Sequence, residues 1–301
     1  IPYVTSYYSR NWGFCLTHEQ LKSLMPGKYH VVIDADLKPG VLNYGEIILP
    51  GELDQEIFLS TYICHPSMAN NELSGPVVTT ALAQWLGMLE KRKYTYRIVF
   101  VPETISSIVY LSKHLEHLKQ KVIAGFNITC IGDDRCYSFL PSRNGKTLSD
   151  YVALHVLKHT DHDFIRYTWL DRGSDERQYC APNVDLPVAS IMRSKYGEYP
   201  EYHTSLDDLE LVTQSGLQGG FDILRKAIDI IEKNIYLQTT VLGEPQLGNR
   251  GLYPTLSTKE SGKEVRTMMN MLSYCDGNKS LLEIAELIDE PFWELTPIAD
   301  Q

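Results

Sequence analysis

Three separated stretches carry residues whose types could do chemistry together. The first is Ile63-Cys64-His65-Pro66-Ser67-Met68-Ala69-Asn70-Asn71-Glu72-Leu73-Ser74-Gly75. A neutral imidazole such as His65 is a good ligand for zinc or another first-row metal. The amide oxygen of Asn71 and the carboxylate of Glu72 follow shortly after it. The second stretch is Pro102-Glu103-Thr104, a carboxylate at the end of an apolar run. The third is Tyr202-His203-Thr204-Ser205-Leu206-Asp207-Asp208, which supplies another imidazole far along the chain. Two imidazoles and a carboxylate brought to one place would suit metal-assisted hydrolysis. The fold must then bring them together.

The flanking sequence indicates how. Glu56 to Ile63 is an apolar run that reads as a buried strand, and Val78, Leu82, Trp85, Leu86 and Leu89 follow at helical spacing. His65 therefore leaves a strand end, and Asn71-Glu72 sits just before a helix whose Ser74-Gly75 start permits close backbone packing. Tyr94 to Val101 is another strand, so Glu103 also leaves a strand end. Ligands of open α/β sheets bind at the carboxyl ends of strands. Further helices are expected over Ser106 to Lys119, Leu148 to Lys158 and from Leu217 to Ile235. Further strands are expected over Val122 to Ile131, Tyr167 to Leu170 and Leu186 to Met192. Upstream, Tyr29 to Ala35, Val41 to Leu49 and Glu56 to Ile63 are separated by Pro-Gly turns, which predicts an antiparallel meander. The alternation of strands and helices after that predicts a parallel sheet.

A net charge of −10 argues against a broad surface for nucleic acid or anionic membrane. No apolar run approaches the roughly 20 residues that span a bilayer. The six cysteines show no CxxC spacing, and several lie in strand-like runs, which suits a reducing, cytoplasmic setting. The chain begins at Ile1 rather than Met, which reads as a piece of a longer product.

The three landmarks, in this order, resemble the zinc-dependent exopeptidases of the leucyl aminopeptidase and glutamate carboxypeptidase type. A still nearer resemblance is to a bacterial family with an aminopeptidase-like centre and a C-terminal winged helix. Its pattern is carried here by Ile63 to Ser67, Pro102 to Ile105, Ser174 to Gln178 and Tyr202 to Asp207, and some of its members are linked to polysaccharide biosynthesis. The resemblance implies a three-layer α/β/α mixed sheet over residues 1–242, with a β-rich insert or lid within 12–52. A linker over 243–253 and a truncated, helical winged-helix-like domain over 254–301 would follow. It implies metal ligands at His65, His203 and Asn71 or Glu72, with Glu103 as general base or ligand. Asp175, Glu176 and Tyr179 would lie behind the ligands or touch substrate. Independently of the resemblance, Arg143 and Arg135 could receive a substrate carboxylate, since Arg binds carboxylates bidentately, or be solvated loop cations. The expected activity is hydrolysis of a peptide or related amide bond. The alternatives are a catalytically degenerate binding or regulatory module, and an amidase or deacetylase acting on amino-sugar precursors.

The sequence also departs from the exopeptidase pattern. The metal-bridging Asp is replaced by Asn71, the second Glu of a Glu-Glu pair by Thr104, and a further Asp falls near Thr129. An amide oxygen is a weaker ligand than a carboxylate. These losses imply one Zn2+, or another divalent ion, rather than two.

The C-terminal segment is expected not to bind nucleic acid. From Arg250 to Gln301 there are five cations (Arg250, Lys259, Lys263, Arg266, Lys279). The same segment has nine anions (Glu260, Glu264, Asp276, Glu283, Glu286, Asp289, Glu290, Glu294, Asp300). Its last helix, expected over Glu294 to Gln301, has no Lys or Arg, and the apolar Phe292, Trp293, Leu295 and Ile298 suit packing or a protein partner. Non-specific duplex binding draws on phosphate neutralisation by Lys and Arg. An anisotropy titration at low salt should therefore show no binding to random duplex at micromolar protein; micromolar affinity would overturn this reading.

Overall fold

The structure is a computed structural model that describes residues 10–36, 38–65, 67–253 and 259–300. Pro66 of the first motif and residues 254–258, where the C-terminal unit was expected to begin, lie outside the described residues. The elements in chain order are α1 (His18–Ser23), β1 (Gly45–Leu49), β2 (Glu56–Tyr62), α2 (Ser74–Met88), β3 (Thr95–Val101), α3 (Ile105–Lys121), β4 (Val122–Asn127) and β5 (Ser138–Leu140). They continue with α4 (Leu148–Lys158), β6 (Ile165–Arg166), α5 (Glu176–Tyr179), β7 (Val188–Met192), α6 (Gln214–Lys233), β8 (Tyr236–Gln238), α7 (Lys259–Ser273), β9 (Asp276–Ser280), α8 (Leu281–Ile288) and α9 (Phe292–Ala299).

One mixed sheet of seven strands runs in the order β1-β3-β2-β4-β7-β5-β6. The four central strands, β3, β2, β4 and β7, are mutually parallel, so their carboxyl ends form one edge. Every residue of β2 is buried, as expected for a strand covered on both faces. Side-chain alternation divides the interior into two layers. Ile57, Leu59, Tyr96 and Ile98 join Leu82 of α2, Val156 of α4 and Leu224 of α6 on one face. Phe58, Val99 and Val101 join Tyr110 and Leu118 of α3 and Tyr179 of α5 on the other. The sheet is thus the middle layer of three.

The expected meander is not formed. No strand occurs over the described part of residues 29–35, and β1 pairs antiparallel with β3, not with β2. The turn residues reported that the chain reverses, but not which strand receives it. Gly51 shows the reason locally: a Cβ there would lie 2.2 Å from the Tyr94 carbonyl oxygen. The chain crosses the start of β3 at backbone contact, with Glu52 and Leu53 N–H donating to the Arg92 and Lys93 carbonyls. The strand expected over Tyr167 to Leu170 is displaced to β6, and a 3-10 turn occupies Trp169–Asp171.

The C-terminal unit is built from α7, α8, α9 and the antiparallel pair β8–β9. A capping box, Ser280 with Glu283, starts α8. Leu281, Ile284, Phe292 and Leu295 belong to the same buried cluster as Ile223 and Ile228 of α6, so the two units share a core.

His155 of α4 locks this contact. Its ring is fully buried. Nε2 accepts the Phe292 N–H at 2.8 Å, and Nδ1 faces the Glu286 carboxylate. A backbone N–H can only donate, so the ring proton resides on Nδ1 and points to Glu286. The Phe292 N–H is in the first turn of α9 and has no intrahelical acceptor. Replacing His155 by Leu would leave it buried and unsatisfied, at a cost of about 1–3 kcal/mol. The urea midpoint of His155→Leu should fall by a corresponding amount. An unchanged midpoint would mean the bond contributes nothing.

Candidate metal and catalytic centre

The carboxyl edge of the sheet gathers the three sequence landmarks. Residues 63–65 leave β2, Glu103 leaves β3, and a loop after β7 carries His203. The rings of His65 and His203 meet edge to face with centroids 4.9 Å apart. Ligand-type atoms of Cys64, His65 and Glu103 all lie within 4.8 Å of one another. Burial holds both imidazoles below their ordinary pKa, with the neighbouring ring adding to the effect at His203. Both are therefore kept neutral, the form that ligates metal. Tyr202 stacks on His203 at 3.9 Å between centroids and fixes the ring plane.

Asp207 sets the relation between the two imidazole loops. Its buried carboxylate accepts the backbone N–H of Asn70 at 2.6 Å and of Asn71 at 3.0 Å, and its carbonyl accepts that of Ala69 at 2.9 Å. Tyr199 donates to the same carboxylate at 2.9 Å. These N–H groups open a single π turn, Ala69–Leu73, which leads directly into α2. An anion at a helix start is favourable there. Gly75 lets α2 rest on the sheet, since a Cβ would lie 2.5 Å from the Ile128 carbonyl oxygen.

Asn71 belongs to a closed hydrogen-bond circuit. Its Nδ2 donates to the Tyr62 hydroxyl at 2.7 Å. That hydroxyl lies 2.5 Å from Thr129 Oγ1, which donates to the Asn71 carbonyl at 3.1 Å. The amide must donate and the carbonyl must accept, so Tyr62 donates to Thr129. Asn71 Oδ1 is left buried without a partner among the described residues. Asn71 and Thr129, two of the three positions where carboxylates were missed in the sequence, are thus joined by neutral groups.

Glu72 turns to the Cys64 loop and takes no part in this circuit. Its carboxylate accepts the Cys64 N–H, and Oε2 lies 3.4 Å from Cys64 Sγ. Burial raises its pKa. Its oxygens hold the Cys64 loop.

Glu103 is pushed up to about 7, first by burial and then by the neighbouring Asp175 charge. Asp175 is itself pushed up to about 7, chiefly by burial. Its Oδ1 accepts the Thr104 N–H at 2.7 Å and the Ser107 hydroxyl at 2.8 Å. Thr104 has φ +62°, a strained conformation for a β-branched residue. Asp175 and Arg177, which donates to Thr104 Oγ1 at 2.8 Å, hold it there. This bend sets the direction of the preceding Glu103. Glu176 accepts from the Gly173 and Ser174 N–H groups and from the Tyr196 hydroxyl, so it braces the loop behind Asp175. Tyr179 is fully buried with its hydroxyl 2.7 Å from Ser60 Oγ.

Arg143 is placed elsewhere. β5 runs antiparallel to β7, so the loop after Leu140 emerges at the amino edge, opposite the histidines. There Arg143 pairs with Asp185. Sequence reasoning gave no role to Cys64 or Asp207. Cys64 was visible as the neighbour of His65, and Asp207 as part of the third motif.

Residues 12–234 match a family described as a domain of unknown function (DUF4910), and residues 234–301 match a winged helix-turn-helix model. The chain belongs to the DUF4910 family. A Clostridium acetobutylicum protein named for polysaccharide biosynthesis and an aminopeptidase-like domain is 42% identical over 287 residues. The match covers 95% of this chain and 65% of that protein, so the chain spans about two thirds of its curated relative. A crystal structure of a C. acetobutylicum protein named as a peptidase superposes with TM-score 0.91 and 40% identity, over 99% of this chain and 68% of that one. The zinc aminopeptidase of Bacillus subtilis shares the fold at TM-score 0.52 and 17% identity, over 62% of this chain and 49% of its own. Glutaminyl cyclase of Porphyromonas gingivalis does so at TM-score 0.51 and 16% identity, over 62% and 76%. The DUF4910 domain thus has an aminopeptidase-like fold, followed by a winged helix.

The raised carboxyls of this DUF4910 domain have a consequence for stability. A group whose folded pKa exceeds its unfolded value binds protons more tightly when folded, so its stabilisation is lost as pH rises through the folded pKa. For Glu103 the relevant window is between the ordinary 4.5 and about 7. The thermal midpoint of the metal-free protein should fall as pH rises across that window. Glu103→Gln should flatten the fall; an unaltered slope would place the titration elsewhere.

Proposed function

We propose that this domain is a metal-dependent hydrolase of a peptide or related amide bond, working with one divalent ion, most simply Zn2+. The observation that carries the proposal is the convergence of His65, His203, Cys64 and Glu103 at one sheet edge from three distant segments. The donor set fits a single ion: two neutral imidazoles, with Asn71 Oδ1 as a buried acceptor lacking any partner among the described residues. The neutral Tyr62–Thr129–Asn71 circuit argues against a second ion, which would need further acidic ligands. When bound, the ion would polarise the substrate carbonyl and acidify water.

The remaining work falls to the chain. Glu103, with a pKa close to neutrality, is matched to take a proton from the attacking water and return it to the departing amine. Asp175 aims it through Thr104. Asp207 and Tyr202 hold the imidazoles. Glu176 braces the Asp175 loop, and Tyr179 supports the sheet from below. Residues 1–242, with 12–52 as an insert or lid, form the hydrolase domain in this proposal. Residues 243–253 and 254–301 are its linker and winged-helix unit, and the setting is the cytoplasm.

The same neutral circuit favours a second reading, in which the fold is retained as a binding or regulatory module without turnover. A third class, an amidase or deacetylase on amino-sugar precursors, would suit the polysaccharide biosynthesis for which the relative is named. Zinc content and turnover decide among them. Protein purified without chelator should hold about one zinc per chain, and a panel of aminoacyl, peptidyl and N-acetyl amino-sugar substrates should show turnover. Glu103→Gln should lower that turnover by about 10²–10⁴-fold and leave zinc content unchanged. Loss of zinc in the variant would make Glu103 a ligand, and absence of turnover on every substrate would favour the binding module.

A further inference from the structure

We infer that Cys64 is a ligand of the ion, so that the centre binds through one sulfur beside the His65 imidazole. The inference rests on the metal-site reading above and goes beyond it, because two imidazoles and one neutral amide oxygen give the ion no anionic or soft ligand. Three observations point to Cys64 as that ligand. Its Sγ lies in the group that includes His65 and Glu103, with all ligand-type atoms within 4.8 Å of one another. Asn71, the position expected to supply an acid, offers only a neutral amide oxygen, its amide nitrogen and backbone carbonyl being fixed in the Tyr62–Thr129 circuit. Glu72, the other ligand candidate, spends its carboxylate on Cys64, accepting the backbone N–H with Oε1 and standing 3.4 Å from Sγ with Oε2.

That last contact gives the coordination step its proton balance. A thiol ligates as thiolate, so the sulfur must give up one proton. The S–H hydrogen points at Glu72 Oε2, which takes the proton as the metal–sulfur bond forms; the thiolate then carries the charge that Glu72 gives up. Glu72 is a positioning residue in this scheme. It orients the ligand from behind, as carboxylates commonly do for metal-bound imidazoles. One sulfur in the set also shifts preference towards zinc and softer ions over magnesium or calcium.

Cobalt(II) reports the ligand directly, without reliance on activity. The metal-free full chain titrated with one equivalent of Co2+ should develop visible d–d bands together with a near-ultraviolet sulfur-to-cobalt charge-transfer band. Cys64→Ser should lose the charge-transfer band, retain visible bands and bind zinc at least about tenfold more weakly. Cys136→Ser should keep the charge-transfer band. Visible bands without a charge-transfer band in the unsubstituted protein would overturn the role of Cys64 and leave the histidine site standing. A charge-transfer band that survives Cys64→Ser would also overturn it. No cobalt spectrum at all would overturn the metal-site reading, and the role of Cys64 with it.

Discussion

The arrangement depends on one buried carboxylate. Asp207 is fully enclosed, and among the described residues no lysine or arginine donates to its carboxylate. Its charge is instead met by backbone N–H groups at the start of the π turn and by the Tyr199 hydroxyl. Such a charge is tolerable only with its hydrogen bonds made. The geometry of that turn and the geometry of the His203 loop are therefore one constraint. If the turn shifts, Asp207 loses its donors; if the His203 loop shifts, the first turn before α2 loses its acceptor. This couples segments more than a hundred residues apart through backbone N–H groups. The π turn adds one residue per turn relative to an α-helix, and such turns concentrate at functional positions.

A second constraint follows from the sheet. Because β2, β3, β4 and β7 are parallel, the residues that leave them all emerge at one edge. That places His65, Glu103 and the loop carrying His203 together, and the Tyr62–Thr129–Asn71 circuit among them. Buried polar circuits are costly unless every member is satisfied. Here each hydroxyl and the amide nitrogen is satisfied, and Asn71 Oδ1 alone is left over. An aspartate at 71 would lose the Nδ2 donor and force Tyr62 to turn its proton. The neutral residues at 71 and 129 are thus mutually consistent, while Thr104, the third departure, lies outside the circuit and is held by Asp175 and Arg177.

How far the sequence was legible follows from the kind of information each feature needs. The strands β2, β3, β4 and β7 and the helices α2, α3, α4 and α6 were readable because burial on one or two faces imposes a period on the residues themselves. The strand ends, and with them His65 and Glu103, came from the same periods. The pairing of β1 was not readable, since a Pro-Gly turn states a reversal and no partner. The pair β8–β9 was missed because neither strand shows alternation: Asp276-Gly277-Asn278-Lys279-Ser280 carries no apolar residue. Ion pairing hid the placement of Arg143, because its loop lies at the far edge only if β5 runs antiparallel, and three residues carry no sign of direction. Asp207 was in view, but its role depends on backbone N–H groups, which have no sequence signature.

The C-terminal unit shows the same logic from the other side. In α9 the apolar residues face inward: Phe292 and Leu295 are buried in the shared core. Trp293 lies against the rings of His155 and His159, with the Lys226 ammonium 4.8 Å from its ring centroid. These contacts join α9 to α4 and α6, so the surface offered to an outside partner from the sequence is used within the chain. At the same end of the unit Glu294, Pro297 and Asp300 remain exposed, two acids and a residue without an N–H donor. A helix presenting that face to a duplex would meet phosphate with negative charge. Lys158 shows where the nearby cationic charge goes: it pairs with Glu286 and Asp289 across the unit boundary. The winged-helix unit is therefore held against the aminopeptidase-like domain by the buried residues of α9 and by the ion pairs of Lys158.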